Sequence, residues 1–177
     1  EDRIDFLTNQ LADYFIKISS ATQSADDEAL IGSLHHVAND VERIGDYAML
    51  LFKDTNDLKK RELSFSEQTK EELQEIYRNI SDMFDLGFDT LKTREVENFQ
   101  DVAELQKKII KMISATRKEH VARLNSGVCS VEVSKNIYSV LFSLQRVSEH
   151  FLNIVYSVRS TTGDETEALL AYEKEFK

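Results

Sequence analysis

Glu42 and Asp46 stand four residues apart in the stretch NDVERIGDYA, which runs from Asn39 to Ala48. On a helix that spacing places both carboxylates on one face, one turn from each other, where like charges repel. Three chemistries relieve the repulsion: solvation, an ion pair through Arg43, or a metal ion. The i, i+4 pairing recurs at Glu1 and Asp5, at Asp85 and Asp89, and at Glu97 and Asp101, with Glu104 one turn further on. Hard cations take oxygen ligands from several carboxylates, and helical bundles hold iron or manganese with carboxylates from facing helices. Yet 32 acidic residues on long helices produce such pairs by chance. Arg43 and Arg146 also offer a carboxylate an internal partner.

The four histidines add little to a metal reading. His35 and His36 are adjacent, so only one shares the face of Asn39, Glu42 and Asp46. His120 and His150 have no second histidine at ligand spacing and read as packing or hydrogen-bonding residues. There is no glycine-rich phosphate loop, nucleophile elbow or HExxH zinc motif. Cys129 sits in a turn without an activating partner. The chain therefore reads as a protein without catalytic chemistry of its own. A carboxylate-ligated metalloenzyme of the bundle type is the alternative, but it needs Glu-xx-His elements. Glu119 with His120 and Glu149 with His150 are adjacent instead. A purely structural bundle that oligomerises, as a homodimer for example, is a third reading.

The elements that must position these groups follow from composition and periodicity. The chain has no proline, five glycines, 41% hydrophobic and 31% charged residues, a mixture that favours long helices. A net charge of -10 excludes a nucleic-acid surface, which needs clustered Lys and Arg. The single cysteine forms no intramolecular disulfide and fits a reducing compartment. No apolar run approaches the ~18 residues of a membrane span. The chain opens in helical rhythm without an initiator Met, as an excised piece of a longer protein would.

Five helices are expected, over 2–19, 25–53, 66–92, 95–124 and 130–160, and a tail over 161–177 is expected to pack as a sixth or to fray. The first carries an apolar stripe of Ile4, Leu7, Leu11, Tyr14, Phe15 and Ile18. The second follows an N-cap at Ser24, with Asp26, Asp27 and Glu28 in its first turn. Its seam of Leu30, Leu34, Val37, Val41, Ile44, Ala48 and Leu51 has bundle spacing. Ser64 or Ser66 caps the third, and an Asn-Ser-Gly turn ends the fourth. No segment reads as a strand, so the fold class is all-α, an antiparallel long-helix bundle.

Helices two and five overlay. VERIGDYAMLL (41–51) sits over LQRVSEHFLNI (144–154), matching Arg43 with Arg146, Ile44 with Val147, and Asp46 with Glu149. Either this is an internal repeat or two bundle helices share a periodicity. As a repeat, the first unit (1–60) holds two of three helices and the second (61–160) is complete. The opening helix of the first unit is then expected before Glu1.

DVERIGDYA closely resembles the signature of the PhoU family, in which an acidic-xxx-Asp pattern recurs once per three-helix repeat. EDRIDFLTNQLADYFIKIS looks like the middle helix of such a repeat. RKEHVARLNSGVCS followed by LQRVSEHFLNI looks like the second repeat of the PhoU-like domain at the C-terminus of bacterial sodium/phosphate cotransporters. The resemblance implies two three-helix PhoU-like repeats and a cytoplasmic regulatory domain controlling phosphate transport or signalling. It implies contact with a phosphate transporter membrane domain or an associated sensor, a place at the inner face of the plasma membrane, and only indirect membrane association. It also implies iron, zinc or another divalent metal at the acidic motifs: Glu42 and Asp46, with Glu1 and Asp5 from the preceding helix. In the second repeat only Glu149 keeps its acid, because Gln145 stands where Glu42 does, and a neutral amide ligates a hard cation less well. The matching acid on helix four is Asp101 or Glu104. Arg43 and Arg146 are further candidates for metal-site or partner contact.

Overall fold

The computed structural model describes residues 1–21, 24–93 and 96–160. The expected sixth helix at 161–177 lies outside them, as does the side chain of Glu97. Five helices follow one another: α1 (Asp2–Ser19), α2 (Ala25–Lys60), α3 (Glu67–Thr93), α4 (Val96–Asn125) and α5 (Ser134–Ser160), with a 3-10 turn at Val131–Val133 before α5. The described residues contain no strand, so the all-α expectation holds.

Local chemistry sets the ends. The Ser24 Oγ accepts a hydrogen bond from the Asp27 amide at 3.4 Å, with three acids in the turn that follows; an anionic first turn suits the positive end of the helix dipole. Of the two candidate caps for α3, Ser66 does the work, accepting from the Thr69 amide at 3.3 Å. After α4 the chain reverses at Gly127, φ 73°, the left-handed conformation glycine adopts without a Cβ penalty.

One boundary differs. Helix two was expected to stop at Lys53, because KDTNDLKK is polar enough to read as a connection. It runs seven residues further, to Lys60. Asp54 and Leu58 on this last stretch are buried, and Asn136 on α5 donates to the Asp54 carbonyl and to Asp57 Oδ2, both at 3.2 Å. Two residues on one face suffice to hold a polar turn against its neighbour.

Packing is unequal across the bundle. The core belongs to α3, α4 and α5, with Ile76, Met83, Val102, Ile109, Ile137 and Leu141 near-inaccessible. Phe84 stacks on Phe151 with ring centroids 3.9 Å apart. Helix α5 packs against α2, α3 and α4, whereas α1 packs against α2. Consequently the stripes expected to be core on the first two helices are half open. Leu7, Leu11 and Tyr14 on α1 and Leu30, Leu34 and Val41 on α2 are all exposed, and of the α1 stripe only Phe15 is buried. The apolar faces lie where the periodicity puts them, but no third helix covers them among the described residues.

Candidate functional site

The acidic motif sits on α2 where α1 crosses it. A Cβ built on Gly45 would lie 2.9 Å from Ile4 Cδ1, so glycine lets the first turn of α1 approach this point. That brings Glu1 and Asp5 to the same end of the helix pair as Glu42 and Asp46. Glu42 and Asp46 are partly exposed, and Arg43 serves both: its Nη1 donates to Asp46 Oδ2 at 3.0 Å and its Nε stands 3.5 Å from Glu42 Oε2. Among the described residues no three His, Cys, Asp or Glu side chains converge on one point. Arg43 is the cation paired with Glu42 and Asp46 in this arrangement.

The matching turn on α5 is built differently. Glu149 accepts from Arg146 Nη1 at 2.7 Å and from Gln145 Nε2 at 2.8 Å. Gln145 in turn accepts from Arg117 of α4 at 3.2 Å. Arg146 also donates its Nε–H to the Tyr47 hydroxyl on α2 at 3.3 Å. That bond foremost, with Glu149 adding to it against the cost of burial, raises the pKa of Arg146. Glu149 faces a pocket of about 400 Å³ whose α4 wall is Gln106 and Ile110. Asp101 and Glu104 are exposed elsewhere on α4, and Glu104 pairs with Lys107 at 3.4 Å. The α4 residue beside Glu149 is thus an amide.

One pair escaped sequence reasoning. His150 Nδ1 lies 2.7 Å from Asp40 Oδ1 on α2, both side chains largely buried. The imidazole stacks on Tyr47 at 5.7 Å between centroids, and Tyr47 meets Phe142 edge-on. The only signal was position: His150 follows Glu149, and Asp40 precedes Glu42, so each flanks a motif acid. Nothing in the sequence marked Gln106.

Among the described residues the chain is an all-α bundle in which α2 and α5 present matching arginine–carboxylate turns, the α2 one on an exposed rim and the α5 one bonded across to α2 and α4. Residues 1–54 match the PhoU domain, the segment that contains α1, the ERIGD turn and most of α2. No curated protein and no solved structure matches the chain. Among the described residues, no helix is long and apolar enough to cross a membrane.

Proposed function

We propose that the chain is a regulatory domain in the control of phosphate transport or phosphate signalling, acting through helical-surface contacts and not by chemistry of its own. One observation carries the reading: within the segment matching the PhoU domain, apolar residues of α1 and of α2, two helices packed on each other, are exposed. Contiguous exposed apolar surface marks an interaction site. In this reading a helix completes the first three-helix unit on that side, and the outer surface meets a phosphate transporter membrane domain, fused or separate, or its sensor, at the cytoplasmic face of the membrane. The acidic motif enters as a charged rim beside the stripe. A divalent ion there would have to take the place of Arg43.

The test pairs Leu34→Glu with Val41→Glu in the source cell. Phosphate uptake under replete and limiting phosphate should change as it does on deleting the chain, while the purified variant keeps its helicity. Uptake identical to that of the unmodified cell would overturn the proposal. The metal question has its own readout. Iron, zinc or magnesium titrated into metal-free protein should raise its melting temperature if bound to the native state, and Glu42→Gln should abolish that rise.

A further inference from the structure

Helices α1 and α2 run antiparallel, meeting where Ile4 abuts Gly45 and again where the Phe15 ring lies 6.2 Å from that of His35. Between those two points Leu7, Leu11 and Tyr14 recur on α1 at the spacing of one helix side. Leu30, Leu34 and Val41 do the same on α2. All six are exposed. The groove on the other side of the pair is lined by Ile16, Ser19, Glu28 and Gly32, so the two stripes share this one. Helix α5 is antiparallel to α2 as well: Asn136 meets Asp54, Arg146 meets Tyr47 and His150 meets Asp40. Continued residue for residue, that register brings Ser160 level with about residue 30 of α2. The α2 stripe begins there.

We propose that residues 161–177 turn back at this point and lie as a helix along the open side of α1 and α2. The segment opens with Thr161, Thr162 and Gly163, residue types that suit a reversal. Leu169, Tyr172 and Phe176 then recur at spacings of three and four. They cover the same length of helix, about 10 Å, as Leu7, Leu11 and Tyr14. Starting level with Leu30 and running parallel to α2, a helix of at most about 25 Å passes Leu34 and Val41 on one flank. On the other it passes Tyr14, Leu11 and Leu7. This segment is favoured over one from another chain because it is tethered at the edge of the face. Three apolar side chains, set against the entropy of ordering the segment, leave docking only modestly favourable. Truncating Val41 therefore releases the cover at little cost to the bundle. The cover supplies the helix that the regulatory reading places on this side, but it rests on the register of α1, α2 and α5 and not on a role in phosphate control.

Val41→Cys and Val121→Cys, made separately in the full chain, are treated with iodoacetamide. Alkylation rates are read by peptide mass spectrometry, which resolves each new thiol from native Cys129. Val41 and Val121 are 43% and 44% exposed, so the bundle itself shields the two positions alike. With Leu169→Glu and Phe176→Glu added, labelling at position 41 should accelerate about threefold or more, and labelling at position 121 should not change. If Val41→Cys fails to fold, Leu34→Cys on the same stripe serves in its place. The proposal is overturned if the stripe position does not accelerate. It is equally overturned if labelling there slows as protein concentration rises, which would make a second copy the cover. Alkylation reads the cover and phosphate uptake reads the regulatory role, so each can fail without the other.

Discussion

Val41 on α2 and Leu144 on α5 occupy equivalent places in VERIGDYAMLL and LQRVSEHFLNI, yet Val41 is 43% exposed and Leu144 8%. The sequences share a period; the neighbours differ. Helix α5 is covered by α2, α3 and α4, whereas α2 is covered by α1 and α5. The arginines tell the same story. Arg43 lies on an open rim, with its side chain more than half exposed, while Arg146 bridges two helices. Periodicity therefore states which face is apolar, and only the count of neighbours states whether that face is core.

If the α3–α5 unit carries the stability, its buried ion pair should show the largest effect. Arg123 of α4 makes two bonds to Glu72 of α3, at 2.7 and 2.8 Å, and a third to Thr69 at 3.3 Å. Arg123→Ala leaves Glu72 half-buried without its partner and should cost about 3–5 kcal/mol in urea unfolding. A cost below 1 kcal/mol would remove the unit's claim to be the stable half.

The equivalent seam positions come next. Leu144→Ala should cost about 2–5 kcal/mol, as core truncations do, and Val41→Ala under about 1 kcal/mol. Equal costs would mean that the α2 seam is covered in solution, for instance by self-association. Light scattering at several concentrations would show that directly.

Much of this architecture was legible beforehand. Five helices, the Ser24 cap, the Gly127 stop and the buried set of α5 from Ile137 to Ile154 all follow from apolar spacing and turn chemistry. The extension of α2 to Lys60 was not, because Asp54 and Asp57 acquire their partner, Asn136, from a helix some eighty positions away. The candidate site was legible only as residue types. Asp40 with His150, and Tyr47 with Arg146, are contacts between helices, and spacing along one helix carries no information on what faces it. Gln106 is hidden for the same reason.

A pH experiment separates the two halves more gently. His120 on α4 is buried beside Tyr138, with Nε2 3.2 Å from Ser134 Oγ. Burial first, and then the charge of Arg123, lower its pKa from the ordinary 6.5, with Glu72 opposing them. The unfolded chain therefore takes up this proton before the folded one. The stability linked to it is complete above about pH 6.5 and is lost as pH falls through the lower folded value. In His120→Gln the drop in melting temperature between neutral pH and pH 5 should be smaller than in the parent. An identical drop would assign acid sensitivity to groups other than His120.

The smallest effect expected is also the one that best tests the open turn. Arg43→Ala removes an exposed guanidinium from Glu42 and Asp46 and should cost at most about 1 kcal/mol, less in high salt. Arg146→Ala breaks bonds to Glu149 and to Tyr47 across the α2–α5 interface and should cost more, about 1–3 kcal/mol. The informative readout is the response to divalent ions. With Arg43 gone, the carboxylates of Glu42 and Asp46 repel each other with no internal counter-charge, so any affinity of the turn for a cation must rise. A melting temperature that responds to zinc or magnesium in Arg43→Ala but not in the parent would show that the arginine holds the place of an ion. No response in either would leave the turn as a charged rim whose only cation is Arg43.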